Sequence, residues 1–174
     1  VGTSYRKRGV GTKLLHELEK SMRSSAVKEV YCDFQEDSDH SSFIEKNGYP
    51  LQFRSSLMTF QGTETALPDH RIRLYEDQDY EAVHDLLHRA FQKMRKQVGL
   101  PLLDSPRSME EAAKYLENRT SILILEDETI IKGCIFLDGH EIDKLAVAHE
   151  EEGKGYGRAL LAAGVKNIRI HHKE

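Results

Sequence analysis

An α/β fold (α+β), with a mixed, mostly antiparallel sheet flanked by helices, is what this 174-residue sequence predicts. Three observations point there. Apolar residues at helical spacing alternate with short runs of strand character. Three of those runs follow one another with tight turns between them, so they pair as a meander. A strand that feeds a glycine-rich loop, which in turn opens a helix, occurs twice.

The first half opens on "YRKRGVGTKLL", Tyr5 to Leu15. A helix follows the glycines, with Leu14, Leu15, Leu18 and Met22 on one face. "VKEVYCDF" predicts a strand. Asp39 caps a short helix that ends at Asn47, with Gly48 as its stop. "LQFRSSLMTF" alternates like a strand. The polar stretch that follows holds Gly62 and Pro68 and reads as a linker, residues 62–70.

The second half reads as a strand, two helices, three meandering strands, a glycine loop and a helix. Asp77 caps a helix running to about Lys96, with Tyr80, Val83, Leu87, Ala90, Phe91 and Met94 as its apolar face. Ser108 and Glu111 form a capping box for a second helix through Leu116. "SILILED" and "TIIKGCIFL" are strands with a tight turn around Asp127 and Glu128. Asp138-Gly139 is a hairpin signal, and "EIDKLAVA" is the third strand. The loop of Gly153 to Gly157 comes next, and a helix starts near Tyr156.

The two loops are copies. A shift of 146 positions carries Gly9 onto Gly155, Gly11 onto Gly157, Leu14 onto Leu160 and Leu15 onto Leu161. That offset is the size of an ordinary domain and too long for a solenoid repeat. Residues 1–61 therefore read as the C-terminal half of one unit and residues 71–174 as the N-terminal half of a second, cut out of phase from a tandem pair. A naturally permuted single unit is the other reading. Half-units leave sheet edges and apolar faces uncovered, so the isolated chain is expected to self-associate.

Composition narrows the partners. The net charge is −4, which supplies no global basic field for nucleic acid. Cys32 and Cys134 lie far apart, which fits a reducing cytoplasmic setting better than a disulfide framework. No apolar run approaches the ~20 residues that span a bilayer, and no signal peptide is visible, so no membrane partner is expected.

A strand that ends in a glycine turn and opens a helix aims several backbone N–H groups at one spot, where the helix dipole adds positive charge. Glycines let the backbone approach an anion closely. Arg6, Lys7, Arg8, Lys154 and Arg158 add side-chain charge. The loop suits a pyrophosphate. "GKGYG" lacks the third glycine of a dinucleotide fingerprint and the Gly-Lys-Ser/Thr ending of a P-loop.

The arrangement resembles the GNAT superfamily of acyl-CoA N-acyltransferases, whose loop reads Gln/Arg-x-x-Gly-x-Gly/Ala. Arg6, Gly9 and Gly11 match it fully. The second copy has Glu152 in the Gln/Arg place. "SSFIEKNGY", Ser41 to Tyr49, is similar to the helix near the family's C-terminus. The resemblance implies an N-acetyltransferase that moves an acetyl group from acetyl-CoA, as co-substrate and without a metal, to a primary amine on a small molecule or peptide. It places the cofactor on Arg6, Arg8, Gly9, Val10 and Gly11, and on Gly153, Lys154, Gly155, Tyr156, Gly157 and Arg158. Leu145 and Val147 offer main-chain groups to its acyl and pantetheine parts.

Glu141 stands where histone-acetyltransferase-like members keep their base, and alternation puts Glu141, Asp143, Leu145 and Val147 on one strand face. Asp143 competes for the role, and His140, at a turn, is a third candidate. The family's tyrosine acid is replaced by Ile44, Asp37 stands where asparagine is usual, and Tyr49 matches a packing aromatic. A non-catalytic acyl-CoA-binding or scaffolding module of a tandem protein is the alternative function.

Other features read as structural. His84 and His88 lie four apart but lack a third ligand at metal spacing. "IRIHHKE" is short, and Lys93 to Lys96 is a solvated helix face. Phe91, Met94 and Arg95 are candidate acceptor contacts, with core packing the simpler account of the first two.

Overall fold

A computed structural model describes residues 7–25, 27, 30–34, 40–62 and 71–171. The expectations placed on Arg6, Asp37, Asp39 and residues 63–70 lie outside that set. The chain divides into two compact units, Val1–Arg54 and Ser55–Glu174.

In the first unit the post-loop helix forms as α1, Val10–Ser24, and the short helix as α2, His40–Lys46. Gly48 adopts φ 91°, and the Gly48 and Tyr49 amides donate to the Glu45 and Ile44 carbonyls at 3.0 and 3.3 Å. That is a left-handed stop of the kind glycine permits. The helices meet where α1 has no side chain: a Cβ on Gly11 would come within 3.1 Å of the Phe43 ring. The Tyr49 hydroxyl donates to Glu19 at 2.8 Å, and this bond raises the phenol's pKa. The α1 face keeps Leu14 and Leu18 largely exposed.

Two expected strands are not seen among the described residues: neither "VKEVYCDF" nor "LQFRSSLMTF" enters a ladder. Alternation supplies a face, but a strand also needs a neighbour's N–H and C=O groups. Leu57 and Met58 accordingly stand 98% and 88% exposed.

The second unit holds the sheet. Its four strands are β1 (Ile72–Leu74), β2 (Ile122–Asp127), β3 (Ile130–Asp138) and β4 (Glu141–Val147). They lie in the order β1-β2-β3-β4, every pair antiparallel. Between β1 and β2 run α3 (Tyr80–Gln97) and α4 (Met109–Glu117), and α5 (Tyr156–His171) follows β4. Helices cover both sheet faces, so β2 is apolar on both. Ile122 and Ile124 join Cys134, Phe136 and Ala146 against Val83, Leu86 and Leu87 of α3. Leu123 and Leu125 join Ile135 and Leu137 against Ala159 and Leu160 of α5. This is the predicted α/β arrangement, with an antiparallel sheet flanked by helices.

Local chemistry explains the joints. Glu128 and Thr129 both take positive φ, 48° and 68°, which gives the β2–β3 hairpin the primed turn that matches strand twist. Gly139 does the same for β3–β4 at φ 57°. The cap of α3 differs from expectation. Asp77 lies inside a 3-10 turn, and the capping box pairs Glu76 with Asp79 instead. Tyr80, Val83, Leu87 and Ala90 of the expected α3 face pack into the core, and His84 and Leu86 are buried beside them, whereas Phe91 and Met94 are partly exposed. Arg73 ties β1 to this entry, donating to both Asp79 oxygens at 2.7 and 2.8 Å and to Glu126 of β2 at 2.7 Å.

Candidate functional site

The repeat seen in the sequence is a repeat of backbone conformation. Lys7 and Gly9 have φ 60° and 74°, and Gly153 and Gly155, at the matching registers, have φ 82° and 87°. Both helices begin at the next matching pair, Val10 and Tyr156. Lys13 N donates to Gly9 O at 3.0 Å, and Ala159 N donates to Gly155 O at 3.0 Å. Left-handed backbone costs a side-chain-bearing residue roughly 1–2 kcal/mol, so Lys7 holds in the first loop a shape that Gly153 holds freely in the second.

Each loop opens onto space. A Cβ on Gly9, Gly153 or Gly155 would meet nothing within 4 Å. The first turn of a helix offers N–H groups that the helix itself does not use, with the dipole's positive end behind them. The donor set therefore fits a diphosphate. In the first unit Lys7, Arg8 and Gly9 are exposed and Val10 and Gly11 half-buried; Arg6 lies outside the described residues.

In the second unit the loop adjoins β4. A Cβ on Gly157 would lie 3.8 Å from Val147 Cγ2 and 3.9 Å from Leu145 Cδ2, so these three predicted residues come together. Leu145 is 38% exposed and Val147 half-buried. Tyr156 contributes its backbone to the loop, since its ring is core and its hydroxyl donates to Asp127 at 3.3 Å. Arg158 is exposed in the first turn of α5. Lys154 is exposed, but its ammonium lies 2.5 Å from Glu151.

The carboxylate expectation needs correction. Phe136 pairs with Lys144, but Leu137 pairs with Ile142, so Asp143 is an extra residue bulged out of β4. A bulge breaks the two-residue alternation. Past it, Ile142 faces the α5 side with Leu137, and Glu141 falls on the opposite face from Leu145 and Val147. Asp143 is exposed and pairs with Lys144 at 2.9 Å. Glu141 is exposed at the far end of the strand, about 20 Å from Val147 at ~3.3 Å per residue. His140 occupies the β3–β4 turn.

The sequence reading does not single out Glu151 or Lys132. Glu151 is 7% exposed, and it accepts from Lys132 at 2.8 Å and Lys154 at 2.5 Å. Hydrogen bonds from Lys132 first and Lys154 second hold its pKa below the usual carboxylate value. The available signal was a glutamate at the register where the first copy has Tyr5. Glu152 accepts from Lys93 at 2.8 Å.

The other candidates take structural places. His84 and His88 stack with centroids 6.1 Å apart, and Gln92 contacts His88 at 3.0 Å. Among the described residues no three His, Cys, Asp or Glu side chains gather as metal ligands. Arg95 donates to the Pro101 carbonyl at 2.6 Å. Among the described residues no helix is long and apolar enough to cross a membrane.

Residues 1–49 match the model of the Acetyltransferase (GNAT) family, which bears out the resemblance on the segment that carries the first loop. No curated protein matches the chain. Among solved structures, N-acetylglutamate synthase from Neisseria gonorrhoeae, complexed with coenzyme A and N-acetyl-glutamate, aligns at TM-score 0.46 and 24% identity over 62% of this chain. The chain spans only 24% of that protein's length. A GCN5-related N-acetyltransferase from Rhodopseudomonas palustris aligns at 0.46 and 17%, covering 63% of this chain and 71% of its own. Diaminobutyrate acetyltransferase from Paenibacillus lautus, in complex with L-2,4-diaminobutyric acid and coenzyme A, aligns at 0.43 and 18%, covering 58% and 62%.

Proposed function

From the GNAT match carried by residues 1–49, we propose that this chain belongs to an N-acetyltransferase that moves an acetyl group from acetyl-CoA to a primary amine on a small molecule or peptide. The observation that supports it best is the duplicated loop. Positive φ at two matched registers, a helix opening at the third and one matched N–H···O bond recur 146 residues apart. A backbone shape kept twice, including once at the strained Lys7, suits one ligand chemistry, and the cradle fits a diphosphate such as that of CoA.

In this reading the N–H groups of Gly9 to Gly11 and of Gly155 to Gly157 hold the pyrophosphate. Arg6, Arg8, Lys154 and Arg158 add charge, and Gly153 shapes the turn. Leu145 and Val147 line the path of the pantetheine and acyl parts, beside Gly157. The neutral amine attacks the thioester carbonyl carbon. The C–N bond forms, the C–S bond breaks, one proton leaves the amine nitrogen and the thiolate takes one up. Glu141 or Asp143 receives the amine's proton, directly or through water. The chain is one full period of a tandem pair, with 1–61 and 71–174 as parts of successive units. A cytoplasmic setting accords with the supply of acetyl-CoA.

The bulge at Asp143 favours a second reading. It turns Glu141 away from the face that carries Leu145 and Val147, which suits an acyl-CoA-binding module without turnover. Release of free thiol from acetyl-CoA in the presence of a panel of amines separates the two. The enzyme reading expects amine-dependent thiol release; binding without release for every amine supports the module. In the same protein, Gly155→Val with Gly157→Val should abolish acetyl-CoA-induced shifts of the second loop's amides while the fold persists. Unaltered shifts would remove the loop from the site.

A further inference from the structure

The two loops share a backbone and differ, besides Lys7 against Gly153, in the two residues that precede that register. Tyr5 and Arg6 in the first copy correspond to Glu151 and Glu152 in the second. Glu151 is no surface ornament: its side chain is 9% exposed and sits between two ammonium groups. Lys132 reaches it from the bulge in β3, where Leu125 pairs with Gly133 but Glu126 pairs with Ile131. Lys154 reaches it from within the loop. Glu152 meanwhile engages Lys93 at 2.8 Å and His149 at 3.2 Å. Lys154, one of the two cations that the loop would offer an anion, is thus held by the protein's own carboxylate.

We propose that Glu151 is a positioning residue that draws Lys154 out of the anion site, so that Lys154 reaches a diphosphate in the second loop only by leaving Glu151. This rests on the reading of the loop as a diphosphate site. Two effects follow from one carboxylate. It competes for the ammonium, and its charge opposes the incoming anion. Lys132 keeps Glu151 ionised and fixed, so neither effect relaxes near neutral pH. The second loop is then the weaker of the two, and acetyl-CoA at low concentration loads the first.

The test uses the full chain, labelled with nitrogen-15 and titrated with inorganic pyrophosphate at constant ionic strength. The Gly9 and Gly11 amides report the first loop, and the Gly155 and Gly157 amides report the second in the same sample. In the unaltered protein the first loop should saturate at the lower concentration; a second loop as tight as the first overturns the proposal without any variant. Glu151→Gln, and Glu151→Tyr with the first copy's residue, should tighten the second loop about threefold to tenfold, the effect of one partly screened charge. The first loop should not change. Lys154→Gln should cost more affinity in the Glu151→Gln protein than in the unaltered one, because only there does Lys154 face the ligand from the start. Unchanged or weaker binding in a folded Glu151 variant overturns the positioning role while leaving the diphosphate site standing. Absence of any Gly155 or Gly157 shift in every protein overturns the site and the inference together.

Discussion

The Tyr80 hydroxyl accepts from Ser108 N at 2.8 Å and donates to Glu111 Oε2 at 2.9 Å. Ser108 caps α4 by accepting from Glu111 N at 3.1 Å, but the return half of the expected capping box runs through Tyr80. A phenol from α3 has taken over a bond that Glu111 would make alone. The same carboxylate accepts from Tyr115 of its own helix at 3.2 Å, while the Tyr80 bond ties it to α3.

Tyr80→Phe should therefore uncap α4 without opening the core. It leaves the Ser108 amide and the Glu111 carboxylate each short of one partner. The expected loss is about 1–2 kcal/mol, the range for a cap or a hydrogen bond to a charged group. Urea unfolding monitored by circular dichroism checks it. Ser108→Ala should cost about 1 kcal/mol, and the double variant less than the sum, because both act on one helix end. Full additivity would show that the Tyr80 bonds are independent of the cap.

Acid should weaken the second unit through Asp79. The residue is 4% exposed, and burial alone would raise its pKa, but the Arg73 fork and the Glu76 amide outweigh burial and hold it below the usual value. A depressed folded pKa contributes stability that is fully present above the unfolded value, about 3.9, and is lost as pH falls through the lower folded value. Asp79→Asn should cost about 3 kcal/mol near neutral pH, since it leaves Arg73 facing one carboxylate instead of two. The gap between variant and parent should narrow as pH drops below about 4. A gap that stays constant with pH would mean that Asp79 acts by packing and not by charge.

Two glycines separate a backbone clash from a side-chain clash. A Cβ on Gly133 would lie 2.7 Å from Leu160 Cδ1 and 2.9 Å from the Ala146 carbonyl oxygen. A Cβ on Gly164 would lie 2.7 Å from Ile135 Cδ1, the far end of a flexible side chain. Ile135 can turn aside, whereas Ala146 O belongs to the β3–β4 ladder. Gly133→Ala should cost about 2–3 kcal/mol and Gly164→Ala less, offset further by alanine's better helix propensity of ~1 kcal/mol. Melting temperatures of the two variants settle the order, and a larger drop for Gly164→Ala would contradict it.

These residues show what sequence makes legible. The meander was readable because Ile122 to Leu125 and Cys134 to Leu137 are apolar runs closed by turn residues, all within 20 residues of one another. The loops were readable because glycine at a left-handed position leaves a mark on the sequence itself. The strands expected at 27–34 and 51–60 were not, because a strand is a property of two segments and alternation describes one. The face carrying Glu141 was misassigned because a bulge has no signature in "EIDKLAV"; it arises where β4 meets β3. The Glu151 bridge leaves no local mark in the sequence because Lys132 lies 19 residues away, on β3.

Base assignment depends on that bulge. Asp143 is the extra residue, exposed and paired with Lys144 at 2.9 Å, so an ammonium already competes for its oxygens. Glu141 lies beyond the bulge beside Asp138, its partner across the ladder, and the two carboxylates share a strand end. Under the enzyme reading Glu141→Gln should lower kcat about 100- to 10,000-fold while acetyl-CoA binding at Gly155 and Gly157 stays within twofold, roughly the signature of a lost general base. Asp143→Asn should change kcat by less than about threefold, because its charge is spent on Lys144. A Glu141→Gln protein that keeps more than a third of its kcat would hand the proton to Asp143 or to water.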